Sequence, residues 1–160
     1  MAKPDLQLWH WNEIVPTFHE ESDRGAGVLA GGFVDEYLSG YLRWKMVNKK
    51  VGEELFAPLG PLNSFSQKIA CAYAFGFIPK QYYDDLTAIR RVRNHFAHHP
   101  FDSTFGTKIV ADIVAKLSIF PDAGETWKRN PRLGNRHAYL FACGMVCGGF
   151  HQEMSKPKGK

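Results

Sequence analysis

Lys80-Gln-Tyr-Tyr-Asp-Asp-Leu-Thr-Ala-Ile-Arg-Arg-Val-Arg-Asn-His-Phe-Ala-His98 reads as a single helix, and the rest of the fold follows from it. Tyr82, Leu86, Ile89 and Phe96 recur in helical phase, Pro79 suits a first turn, and Pro100 stops the run. Upstream, Ser64 predicts an N-cap for a helix to Ala74 with Ile69, Ala70 and Tyr73 inward, ended by Gly76. Further upstream, Val28, Leu29, Phe33, Tyr37, Tyr41 and Trp44 share one face of a helix from Arg24 to Met46, started by Ser22 or Asp23. Gly25, Gly27, Gly31 and Gly32 lower its helix propensity and therefore read as points of close helix contact. Downstream, Ile109, Val110, Ile113, Val114 and Leu117 form an amphipathic stripe over Thr107 to Ile119, and Asn135 is expected to cap a last helix through Glu153. No stretch alternates with period two between hairpin turns. The expectation is all-α: a compact multihelical bundle of five or six helices without significant sheet.

A chain of 160 residues with 44% hydrophobic and 22% charged residues has the composition of one folded domain, which excludes wholesale disorder. Residues 1–155 are expected to form it, with 156–160 a basic, solvated tail. The net charge of +4 is uneven: thirteen basic and thirteen acidic residues precede position 121, and seven basic against three acidic follow. Cys71, Cys143 and Cys147 make an odd count and the first twenty residues lack an apolar core, which together point to a reducing cytoplasm. The weakly polar stretch from His137 to Phe150 is shorter than the roughly 20 residues a bilayer requires, so no membrane span is expected.

Chemistry concentrates at the end of the opening stretch. On a wheel of roughly 100° per residue, Arg93 falls within about 40° of Leu86 and Ile89, which places a guanidinium on the apolar face. Such a group is costly to bury unless a carboxylate meets it. Glu20 to Arg24 is the densest acidic cluster beside a helix start. Glu21, Asp23, Arg24 and Arg93 are therefore expected to form a structural polar cluster in which Glu21 or Asp23 pairs with Arg93, and Arg93→Ala is expected to cost about 3 kcal/mol or more. Asn94 and His98 share another face at i, i+4. Together with Arg93 they supply a phosphate clamp, an orienting amide and a general acid or base. The plainer reading of His98 and His99 is a helix C-terminus complementing its dipole.

Three ordered segments carry a family resemblance: Glu21-Ser-Asp-Arg-Gly25, Ala57-Pro-Leu-Gly-Pro-Leu-Asn-Ser-Phe-Ser-Gln-Lys-Ile-Ala-Cys-Ala-Tyr-Ala-Phe-Gly76 and Ile89-Arg-Arg-Val-Arg-Asn-His-Phe-Ala-His98. Over about Phe18 to Phe120 the chain resembles the mannitol operon repressor (MltR-like) family. The resemblance implies a compact all-helical, non-enzymatic regulatory or adaptor protein of the cytoplasm, acting in transcriptional regulation through protein contacts as a homodimer with an unidentified partner. The sequence has neither a helix-turn-helix with a basic recognition helix nor zinc-finger spacing, so direct sequence-specific DNA reading is not expected. A looser resemblance, Arg93-x4-His98 with a polar Asn94, is to HEPN domains. It implies the alternative of a metal-independent endoribonuclease or toxin, with Arg93, Asn94 and His98 acting on RNA at a dimer cleft.

Other candidates carry less. Lys128, Arg129, Arg132 and Arg136 form a basic segment that is the third candidate, for nucleic-acid binding. His95, His98, His99 and Asp102 lack the facing and the fourth ligand of a metal site, so neither metal nor cofactor is expected. Cys143 and Cys147 read as buried free thiols.

Overall fold

Short polar caps start four of the seven described helices. The computed structural model describes residues 8–118 and 129–157, with side chains for all of these except 8–12 and 14. Seven helices are described: α1 (Leu8–Glu20), α2 (Asp23–Lys45), α3 (Lys49–Leu55), α4 (Phe65–Ala74), α5 (Lys80–His98), α6 (Lys108–Val114) and α7 (Pro131–Met154). No strand occurs among the described residues, so the all-α expectation holds with slightly more helices than five or six. Ser22 Oγ accepts from the Gly25 N–H (3.0 Å), Asn48 Oδ1 from Val51 (3.0 Å) and Ser64 Oγ from Gln67 (3.3 Å), each satisfying an otherwise orphaned first-turn donor. Gly76 closes the turn after α4 at φ +69°, a conformation that L side chains rarely adopt.

The central helix α2 packs along both α5 and α7. Small residues permit this. A Cβ on Gly27 would overlap the Phe96 ring, and one on Gly31 would lie 2.6 Å from Arg93 Cβ and 2.8 Å from Tyr139 Oη. Gly31 is thus the point where all three helices meet. Gly32, by contrast, has open space beside it. Tyr37, Leu38, Leu86, Ile89, Phe96 and Tyr139 are fully sealed in the core around this crossing.

The structure corrects several details of phase and boundary. The last helix starts at Pro131 on an Asn130 cap, whose Oδ1 accepts from the Leu133 N–H (3.2 Å); Asn135 lies inside the helix and is buried. Helix α6 ends at Val114 because the following turn is captured by Asp85, whose carboxylate accepts from both the N–H (2.9 Å) and the hydroxyl (2.7 Å) of Ser118; Ile119 lies outside the described residues. In α4 the inward residues are Phe65, Lys68, Ile69 and Ala72, while Ala70 and Tyr73 face out. Lys68 is tolerated inside because its ammonium meets Asp35 at 2.8 Å. Leu29 and Ile109 also face solvent.

Candidate functional site

The polar centre of the molecule is built around Asp23, the first residue of α2. Its Oδ1 accepts from Arg136 Nη1 (2.8 Å), and its Oδ2 from Arg132 Nε (2.8 Å) and the Phe105 N–H (2.9 Å). Arg136 then spends Nη2 on carbonyls at the end of α1, those of Phe18 (2.5 Å) and Glu21 (2.7 Å), with His19 at 3.4 Å. Asn135 Nδ2 donates to the Phe105 carbonyl (2.9 Å). One carboxylate and one guanidinium therefore join the α1–α2 junction, the α5–α6 connection and the start of α7. Burial alone would raise the Asp23 pKa, but hydrogen bonds from Arg132, Phe105 and Arg136 outweigh it and hold the carboxyl below its ordinary value.

Arg93 lies elsewhere. The buried residues of α5 are Asp85, Leu86, Ala88, Ile89, Val92 and Phe96, whose mean direction lies roughly 70° from Arg93 on the wheel. Arg93 is therefore on the rim of the apolar face, with its stem laid on Gly31. Nη1 donates to Asn94 Oδ1 (3.0 Å), Nε is buried without a hydrogen-bond partner, and no ion pair reaches the residue among the described residues. The expected Arg93 pairing with Glu21 or Asp23 is thus corrected: Asp23 is taken by Arg136 and Arg132. Glu21 contributes its backbone carbonyl to Arg136, while its carboxylate lies over Gly25. Arg24 Nε donates to the Phe96 carbonyl (3.2 Å) in the last turn of α5, where a cation is favoured by the helix dipole.

Asn94 is half-buried, and His98 is exposed in the same terminal turn. On the opposite edge of α5, His95 Nε2 meets Ser103 Oγ (2.7 Å) and its ring stacks on His99 at 4.3 Å. Burial, and then the charge of His99, lower the His95 pKa. No three His, Cys, Asp or Glu side chains converge as a metal would need among the described residues. Cys143 and Cys147 are free and sealed in the core, where burial raises both thiols far above their ordinary range.

Two of the four residues in the basic segment proposed for nucleic acid are engaged by Asp23. Arg136 is buried on Asp23, which corrects its placement on a binding surface; Arg132, though 61% exposed along its side chain, is held by the same carboxylate. Arg129 is exposed, and Lys128 lies outside the described residues. The burial of Arg136 has a signal in the sequence. Arg136 is in helical phase with Tyr139, Cys143 and Phe150, the same test that singled out Arg93.

The mannitol repressor family, MtlR, matches residues 42–142, a span that includes two of the three motif segments and leaves Glu21 to Gly25 outside. Among solved structures, the chain is similar to one described as the X-ray structure of the MtlR-HPr complex from Escherichia coli. The TM-score is 0.71 at 14% identity, over 88% of this chain and 98% of that one, which shows a shared fold. No protein of curated function matches the sequence. The family match spans well over half of the chain and agrees with the all-helical architecture: this protein belongs to the mannitol repressor family.

Proposed function

We propose that this chain is a cytoplasmic, non-enzymatic regulator of a mannitol-type operon that acts as a homodimer by contact with a protein partner, occluding or bridging it. The observation that carries the reading is the fold: the similar Escherichia coli structure is that of a complex between MtlR and HPr. The commitment of Arg132 and Arg136 to Asp23 supports it, since two of the guanidiniums at the most basic helix start are paired with a buried carboxylate. Calorimetric titration of the purified chain with HPr is expected to give a saturable heat of binding, with light scattering giving the mass of a dimer. An absence of heat overturns HPr as the partner, and a monomer mass overturns the dimer. The same protein incubated with RNA in EDTA is expected to leave it intact; cleavage abolished by His98→Ala assigns Arg93, Asn94 and His98 to catalysis and overturns the non-enzymatic reading.

A further inference from the structure

The last helix, α7, turns an uncharged face to solvent. From His137 to Gln152, sixteen consecutive residues include no Asp, Glu, Lys or Arg. Elsewhere the fold puts charge outside: α5 exposes Asp84 and Arg91, and α6 exposes Lys108 and Asp112. What α7 exposes instead is a row spaced four apart, Leu133 (46%), His137, Phe141 (58%) and Met145 (55%). Residues at that spacing form one ridge along a helix, about 18 Å long from Leu133 to Met145 at 1.5 Å per residue. The helix packs on α1, α2, α5 and α6, and the ridge stays exposed beside those contacts.

At these exposures the four side chains leave roughly 400 Å² in water, the size at which an exposed apolar patch marks a contact surface. A stable interface takes about 800 Å² from each partner. The ridge supplies about half of that as an apolar centre, and a helix laid along it covers the exposed polar residues at its two ends, Arg129 and Gln152, as a rim. A partner chosen by charge has nothing to select on this ridge. A second copy of the chain asks only that the surface match itself, and the spacing does so. A two-fold axis between His137 and Phe141 sets Leu133 against Met145 of the second copy and His137 against its Phe141. Apolar meets apolar at both outer positions, and along the ridge no Asp, Glu, Lys or Arg is brought against its own kind.

We infer that two copies of this chain pair through α7, antiparallel along Leu133, His137, Phe141 and Met145. The inference rests on the homodimer reading and names the surface that makes the dimer. Its test is sedimentation equilibrium of the purified chain across micromolar concentrations. The parent is expected to be a dimer, and Phe141→Glu and Met145→Glu should each raise its dissociation constant more than about a hundredfold, because the two-fold repeats each substitution and sets two carboxylates in an apolar contact. Phe141→Leu should keep the dimer, as should Phe75→Glu, a change at another exposed phenylalanine, in the α4–α5 turn. Both α7 positions are more than half exposed, so their glutamate variants should keep the helical circular dichroism and the Tm of the parent. A dimer that survives both glutamates on α7 overturns the inference and leaves the homodimer reading standing; a monomeric parent overturns both. Loss of the dimer in Phe75→Glu as well would overturn the inference by showing that added charge anywhere suffices. Loss of HPr binding in Phe141→Glu with the dimer intact would assign the ridge to that partner instead.

Discussion

At the head of α7, Arg136 is buried and meets a carboxylate and backbone carbonyls; at the tail of α5, Arg93 is half-buried and meets one neighbouring amide. Both are arginines set among apolar residues in a helix, and both pass the same phase test. What separates them is depth. The Arg136 side chain keeps only 10% of its exposure, so its charge had to be answered from within the protein, and Asp23 at 5% answers it. Arg93 sits far enough around α5 for its stem to cover Gly31 and for the residue to stay only half-buried, with Nε enclosed and Nη1 on Asn94. The first arginine ties three parts of the fold together; the second is tied only to its neighbour Asn94.

The largest expected effect breaks the first region. Asp23→Ala leaves Arg136 buried without its counter-ion and should lower unfolding free energy by about 3 to 5 kcal/mol, measured by urea denaturation. Next is the crossing that separates the two regions. Gly31→Leu forces a side chain into the space of Arg93 and Tyr139 and should cost about 1 to 3 kcal/mol, read as a drop in Tm. Arg93→Ala, with no carboxylate to strand, should cost only about 1 kcal/mol, well below the 3 kcal/mol or more expected from the sequence.

The smallest effects are those of pH. His95 and His137 both have lowered pKa values, chiefly through burial and then through neighbouring positive charge: His99 for the first, His19 and Arg136 for the second. The unfolded chain therefore binds protons more readily at these sites, so stability should decline as pH falls below the ordinary histidine value of 6.5. Asp23 acts in the same direction in a separate window. Its depressed carboxyl stabilises the fold fully above the ordinary 3.8 and loses that contribution as pH drops from there through the folded value. His137→Gln should flatten the upper decline and leave the acid one unchanged, which a series of melting curves across pH would show.

The helices were legible where local chemistry acts alone. The α5 boundaries at Lys80 and His98 and the Ser22 and Ser64 caps follow from residues within a few positions of each other, and the glycines of α2 mark where a neighbour can come close without saying that it is Phe96, Arg93 or Tyr139. The last helix was placed late because Asn130 and Asn135 are both good caps, and only the tertiary contact between Asn135 and the Phe105 carbonyl shows which is inside. The charge partners were less legible. The sequence leaves Glu21 and Asp23 as alternatives for the buried acid, and the choice of Asp23, with Arg136 rather than Arg93 as its partner, depends on residues more than a hundred positions away, which periodicity cannot rank. The phase of α5 was displaced because Ala88 and Val92 were not counted on its apolar face, although both are buried.

Parallel urea unfolding of Arg136→Met and Arg93→Met tests most directly whether the buried charge that holds this fold lies at Asp23 and Arg136. The two substitutions remove the same charge and keep a similar stem. A loss of about 3 to 5 kcal/mol for Arg136→Met beside about 1 kcal/mol for Arg93→Met is the expected result. An Arg93→Met loss equal to or larger than that of Arg136→Met would contradict it.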